Sequence, residues 1–275
     1  SVVWLLMDEF SLESLLDTSG AIDAERFPNF AALASESMWF RNGTTVADFT
    51  LEAVPAQLTG RYPPEGDGVP PLYVHHPENA FTILHAEGYR VFERDVGVRL
   101  CPPSINEVTS DGGVALGLLL SDVRVVAGHV LFGRILSGWL PPIDRQISHF
   151  GLNINYAGNA LEDRGDTVGP ILNMFNEFLG ELAAGPNRFH YLHLMLPHEP
   201  YRYLSSGRTY VSREESADER SLIHAVTEGV AGMRAREPIR TEAEYPVWLA
   251  RQRYLLQVQF TDRLLGLLVT RLREL

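Results

Sequence analysis

Lysine is absent from this chain. All 23 basic residues are arginine, set against 35 acidic residues, for a formal charge of −12. That excludes a lysine nucleophile or Schiff base. With no basic cluster interleaved with aromatics, it also excludes nucleic acid as an expected partner, because neutralising a phosphate backbone needs a basic face. The all-arginine complement reads as coding bias rather than mechanism. Cysteine is nearly absent too: Cys101 stands alone, so there is no intrachain disulfide and no cysteine-based zinc site, and cysteine usage leaves the compartment open. No stretch of 18 uncharged apolar residues occurs. The nearest, residues 123–140, is interrupted by Arg124, His129 and Arg134, and reads as a core or subdomain-packing helix, with a membrane-surface helix as the alternative. Internal repeats and low-complexity tracts are lacking.

What is present is ordinary globular composition, 45% hydrophobic and 21% charged over 275 residues. A chain of this length buries roughly three quarters of its unfolded surface and needs neither disulfides nor a structural metal for stability. One domain over residues 1–275 is expected, with a helical or loop insertion around 105–165. The chain starts at Ser1 inside an apolar run with no charged, apolar and small-residue leader. Any signal or membrane segment would therefore have stood upstream.

Residues 1–7, SVVWLLM, form an uninterrupted apolar run that reads as a strand buried on both faces, with Asp8 and Glu9 at its C-terminal end. FPNF at 27–30 opens a helix with proline in its first turn, and 38–46 reads as a strand. Residues 52–58 read as a helix with Pro55 in the first turn or at a kink, followed by an irregular Gly- and Pro-rich loop over 60–80. A helix over 81–86 closes at Gly88, a strand follows over 89–92, and Pro102 and Pro103 mark a turn over 101–104. A helix over 169–184, a central strand over 189–196 (FHYLHLML), a charged surface excursion over 205–245 and a long amphipathic helix over 245–275 complete the reading. Alternating strands and helices predict a three-layer α/β/α fold with a mainly parallel sheet.

In open parallel sheets ligands bind at the carboxyl ends of strands. Asp8 and Glu9 sit there and could hold a divalent cation through oxygen or cap the following helix. Thr50 precedes a helix, where free amide donors and the dipole favour an anion or alkoxide; it is either a simple cap or a nucleophile that needs a metal to ionise. His198 follows the buried strand between two prolines. His190 and His193 lie inside that strand and read as core or sheet-face histidines, with a ligand role as the lesser alternative, and His75 and His76 read as solvated loop residues, with metal binding as the alternative.

The segments LLMDEF, FPNFAALASESMWFRNGTTVADFTLEAVPAQLTGRYP, FHYLHLMLPHEPY and QFTDRLLGLL, in this order along the chain, resemble the sulfatase-like branch of the alkaline phosphatase superfamily. Thr50 stands nine residues before Thr59 of LTGRYP, the offset that separates nucleophile from LTG turn in sulfatases. Sulfatases carry a formylglycine precursor within C/S-x-P-x-R, whereas this chain reads TLEAV from Thr50 to Val54. Formylglycine cannot form from threonine. The resemblance therefore implies the threonine nucleophile of the phosphodiesterase and phosphoglycerol or phosphoethanolamine transferase relatives, on a phosphate-type ester, with sulfate esters second. The wording is closest to sulfatase-like membrane proteins of high-GC bacteria.

The resemblance further implies a divalent metal (zinc, manganese or calcium) at Asp8, Thr50 and Glu9, and a contact from His198 to the transferred group or leaving oxygen. Arg61 reads as a structural ion pair and Asp262 as a helix or core contact. The family's Asp-His-Gly strand end, which supplies further ligands, has no counterpart, for the chain contains no Asp-His dipeptide. The remaining ligands are therefore expected beyond Leu275, the fold is expected to be C-terminally incomplete, and weak metal binding is expected of these 275 residues. An extracytoplasmic location at a bacterial envelope, a small-molecule, lipid or glycan ester substrate, and anchoring by segments outside the chain follow as expectations. The alternative is a non-catalytic domain that binds an envelope component.

Overall fold

The computed structural model describes residues 1–64, 69–108, 170–199, 201–209 and 245–275. The expected strand at the amino end forms as β1 (Val2–Asp8). It is followed by a short 3-10 turn (Leu12–Ser14), α1 (Pro28–Glu36), α2 (Thr50–Thr59), α3 (Ala80–Ala86) and β2 (Arg90–Arg94). Then come α4 (Pro170–Glu181), β3 (Arg188–Pro197) and α5 (Tyr245–Glu274). The bulk of the expected 105–165 insertion, the 123–140 segment and most of the 205–245 excursion lie outside the described residues.

The three strands form an open sheet in the order β1-β3-β2, every pair parallel. β3 is the middle strand, in register with Val2–Met7 on one side and Arg90–Arg94 on the other. Its FHYLHLML run is apolar at nearly every position because both faces are covered. Phe189 and Tyr191 pack with Leu6, Val91, Val54 and Leu58 of α2 and Phe81 of α3. Leu192, Leu194 and Leu196 pack on the other side with Phe175 and Phe178 of α4 and Phe260, Leu264 and Leu268 of α5. Each such side chain taken from water contributes about 1.5–3 kcal/mol. The described part is thus a mixed α/β structure with helices on both sides of a parallel sheet.

Local signals account for the helix ends. Asn79 caps α3 by accepting from the Phe81 and Thr82 amides, while the Thr82 hydroxyl answers the Asn79 amide. Gly60 ends α2 at φ 68°, with its amide on the Ala56 carbonyl. α1 begins with Pro28 in its first turn as expected, and its free amides are met from a distance: Asp262 on α5 accepts from the Asn29 and Phe30 amides at 3.3 and 2.8 Å.

Two expectations fail. No strand forms over 38–46; Asn42-Gly43 is a turn dipeptide, the chain turns there, and Met38 and Phe40 stay exposed. Of the two alternatives for Pro55, the first-turn place fails, for it lies in the second turn of α2. The helix continues past it, and Pro55 is buried between Val54 and Ala56. Among the described residues, no helix is long and apolar enough to cross a membrane.

Candidate active site

Alternation along the strands determines which side chains reach the carboxyl edge. On β1, Trp4, Leu6 and Asp8 share a face; on β3, Phe189, Tyr191 and His193 face the same way. The apolar members fill the core under α2 and α3, and the last members are polar. Asp8 and His193 therefore meet where the sheet ends, beneath the amino terminus of α2.

Thr50 is the first residue of α2, and its hydroxyl does not cap the helix. It reaches across to Asp8 instead, 3.1 Å from Oδ1 and 3.2 Å from Oδ2. Asp8 Oδ1 also accepts from the Glu9 amide at 3.0 Å. Burial pushes the Asp8 carboxyl upward, but His193, His198 and the Thr50 hydroxyl together outweigh it and hold it below its usual range. It is an anion over the neutral range.

His193 is fully buried. Its Nδ1 lies 3.0 Å from Asp95 Oδ1, and its Nε2 lies 3.7 Å from Asp8 Oδ2. The second distance is an ion contact, too long for a hydrogen bond, and Nε2 has no hydrogen-bond partner. Leaving a buried ring nitrogen unbonded costs about 1–3 kcal/mol. Burial lowers the imidazole and the two carboxylates raise it; the carboxylates win and carry it to about 9. Asp95 is itself fixed from three directions, by the Gly97 amide at 2.7 Å, the Val98 amide at 2.9 Å and the Tyr191 hydroxyl at 3.4 Å. A Cβ on Gly97 would lie 3.3 Å from the imidazole Cε1, so glycine is what lets the ring pass so close.

Glu9 occupies the left-handed region at φ 57°. This turns its carboxylate onto the segment after β3, where it accepts from the Glu199 amide at 3.0 Å and the Tyr201 hydroxyl at 3.2 Å. Burial raises its carboxyl, against His198 and the Glu199 amide. His198 lies beside it, Nδ1 3.7 Å from Glu9 Oε2. The same nitrogen is 2.7 Å from the Glu199 carbonyl. A carbonyl can only accept, so Nδ1 carries the proton and Nε2 is the ring atom left for chemistry.

α5 supports this turn. The Gln257 amide nitrogen donates to the Pro197 and His198 carbonyls at 3.0 and 2.7 Å, and its oxygen accepts from the Arg202 and Tyr203 amides. Tyr254 donates to the Glu9 carbonyl and accepts from the Ser11 amide. The fold thus brings Asp8, Glu9, Thr50 and His198 to one sheet edge from three separate stretches of sequence.

Other singled-out residues fall elsewhere. Arg61 pairs with Glu78 at the surface, and Asp262 caps α1, both structural as expected. His190 is a core residue, stacked on Phe92 with ring centroids 4.5 Å apart. His75 is exposed and His76 half-buried in the loop, and neither contacts Asp8 or Thr50. Three contributors were missed: His193 taken as core, and Asp95 and Gln257 not singled out. The rule that flagged Asp8, an acid closing an apolar strand, applies equally to Asp95 after Val91-Phe92.

Among the described residues, no three histidine, cysteine, aspartate or glutamate side chains converge as a metal-ligand set. The donors that do converge are mixed: the Asp8 carboxylate, the Thr50 hydroxyl and the unbonded His193 Nε2. An anionic carboxylate and an orphaned buried nitrogen beside a hydroxyl fit a divalent cation in donor chemistry. No family model, curated protein or solved structure matches the chain.

Proposed function

We propose that the chain is a sulfatase-like domain of the alkaline phosphatase superfamily that hydrolyses or transfers phosphate-type esters, with Thr50 as nucleophile and a cell-envelope ester as substrate outside the cytoplasm. The observation that carries this reading is the Thr50 hydroxyl held on the Asp8 carboxylate at the amino terminus of α2. Phe49 holds the cap position of α2, and the Thr50 hydroxyl is turned instead onto an anion beside the first turn of the helix, a place where an attacking oxygen would be favoured.

Asp8 and Thr50 would hold the divalent metal, with Glu9 beside them. When bound, such an ion supplies the positive charge that lets a hydroxyl ionise near neutral pH. The Thr50 hydroxyl gives its proton to solvent, and Oγ1 bonds to phosphorus as the bond to the leaving oxygen breaks. The amide donors at the start of α2 stabilise charge on the non-bridging oxygens. His198 Nε2, when protonated, donates to the leaving oxygen. In the second half, water or an acceptor hydroxyl loses a proton to the same nitrogen and attacks phosphorus, and the Thr50 oxygen leaves to regain its proton.

The test compares the full-length protein with its Thr50→Ala variant on aryl phosphodiesters, phosphomonoesters and aryl sulfates, with zinc, manganese or calcium added. Phosphodiester turnover is expected to fall by at least about a thousandfold, as removal of a nucleophile does. Equal turnover in the variant removes Thr50 from the mechanism, and sulfate release would point to the sulfatase chemistry instead. A second reading, a non-catalytic domain binding an envelope component, is favoured by one observation: the scarcity of ligating side chains at the site among the described residues. Metal-independent binding of an envelope glycan or lipid headgroup, with no turnover in the native chain, would select it.

A further inference from the structure

Among the described residues of the site, His193 Nε2 is a fully buried side-chain atom without a hydrogen-bond partner. The ring is fully buried, its Nδ1 is taken by Asp95 at 3.0 Å, and Nε2 faces Asp8 across 3.7 Å without a hydrogen bond. We propose that His193 Nε2 is a ligand of the divalent cation held by Asp8 and Thr50, with Asp95 as the positioning residue that aims it. The inference rests on the metal-assisted reading above and exchanges one expected ligand for another, since the Glu9 carboxylate is committed to the Glu199 amide and the Tyr201 hydroxyl.

Three features support it. The first is spacing: donor atoms each about 2.1 Å from one ion lie roughly 3.0–3.6 Å apart at angles of about 90–120°. Thr50 Oγ1 is 3.1 and 3.2 Å from the Asp8 oxygens, and His193 Nε2 is 3.7 Å from Asp8 Oδ2. Both donors therefore stand from Asp8 at, or within about 0.1 Å of, the spacing two ligands of one ion have. The second is the carboxylate behind the ring. A ligating histidine needs its other nitrogen bonded to an acceptor that fixes tautomer and orientation. Asp95 does so, and is itself locked by the Gly97 and Val98 amides. The third is topology: Asp8 ends β1, His193 lies near the end of β3 and Asp95 follows β2, so all three strands of the sheet contribute.

An imidazole among the ligands also sets the metal class. Metal binding releases the Nε2 proton to solvent, and the neutral nitrogen left behind suits a borderline ion such as zinc, whereas calcium takes oxygen throughout. The site should therefore prefer zinc to calcium, and three protein donors leave positions for an ester oxygen.

The experiment follows the ring nitrogens of the native chain by long-range proton–nitrogen NMR while zinc chloride is added, with calcium chloride as the comparison. The His193 Nε2 signal should move to the range of a metal-bound nitrogen while Nδ1 keeps its proton, and calcium should leave both in place. Calorimetry on Asp95→Asn should give a zinc affinity about 10- to 100-fold weaker, the usual cost of losing an orienting partner. His193→Gln should weaken it at least as much. The native-chain spectrum carries the test if either variant fails to fold. Zinc binding that leaves the His193 nitrogens unmoved overturns the proposal, as does no zinc binding at millimolar metal, or calcium binding as tightly as zinc. If zinc binds through His193 while Thr50→Ala leaves phosphodiester turnover unchanged, the ligand assignment stands and the nucleophile assignment falls.

Discussion

The two faces of β3 are built from the same run of residues and end differently. Towards α4 and α5 the strand presents Leu192, Leu194 and Leu196, apolar to its last turn and buried against Phe178, Phe260 and Leu264. Towards α2 and α3 it presents Phe189 and Tyr191 and then His193, and the neighbouring strand does the same with Trp4, Leu6 and Asp8. Each face also holds one histidine. His190, on the first, is sandwiched by Phe92 and Phe178. His193, on the second, is held between two carboxylates. Burial is therefore no guide to role here, for both rings are buried. What separates them is the sign of the charge beside them: the Arg188 guanidinium donates to His190 Nε2 at 3.3 Å, whereas two carboxylates face His193.

If the α4–α5 face carries stability and the α2–α3 face carries the site, a cavity cut into the first should weaken the fold without touching the second. Phe178→Ala removes a fully buried ring that packs with Leu194 and its neighbours. It should cost about 3–5 kcal/mol, read from urea unfolding. The zinc affinity of the protein that remains folded should match the native value. A parallel loss of zinc affinity would show that the two faces act as one unit.

The sequence made one face readable and half of the other. Apolar continuity located β1 and β3, and the strand-end rule pointed to Asp8, Glu9 and His198, because these depend on local pattern and on where a parallel sheet binds. His193 was unreadable for a physical reason. Inside FHYLHLML its neighbours announce burial, and only the pairing that sets Leu6 opposite His193 brings Asp8 and Asp95 to its two nitrogens. Gln257 and Tyr254 were hidden likewise: on an amphipathic helix they read as ordinary positions, and their partners lie 54 or more residues away. Residues 38–46 fail in the opposite sense. Their apolar side chains suggested a strand, but the Asn42-Gly43 turn divides the run.

The polar-ended face should also respond to pH in a way the apolar face does not. Glu93, hydrogen-bonded to Asn106 at 2.9 Å, is pushed up to about 8 by burial and by Asp95 beside it. It is neutral in the fold at pH 7 and ionised once unfolded. A carboxyl raised in the fold contributes stability that is complete below its unfolded value of 4.5 and lost as pH rises through about 8. Glu93→Gln keeps an amide oxygen for Asn106 and removes the titration. Its unfolding midpoint should fall less than that of the native chain between pH 5 and 8, and a parallel fall in both would assign the loss to another group.

The smallest expected effect belongs to the other histidine. Burial first, and Arg188 second, press His190 down to about 4, so it is neutral in the fold and gains a proton on unfolding below its ordinary 6.5. The sign is the reverse of Glu93: its contribution is complete above 6.5 and lost as pH falls through about 4. Its Nδ1 has no partner, its Nε2 accepts from Arg188 Nε at 3.3 Å, and its ring stacks on Phe92. A phenyl ring would keep that stacking and remove the unbonded nitrogen, gaining about 1–3 kcal/mol of desolvation against about as much from the lost Arg188 bond and overpacking. His190→Phe should therefore leave stability at pH 7 within about 1 kcal/mol of native and flatten its decline between pH 6.5 and 4. Zinc affinity should not change, because no part of Asp8, Thr50 or His193 touches this ring from the far face of the sheet. A change in metal binding here, where only the far face has been altered, would break the division between the two faces more directly than any loss of stability could.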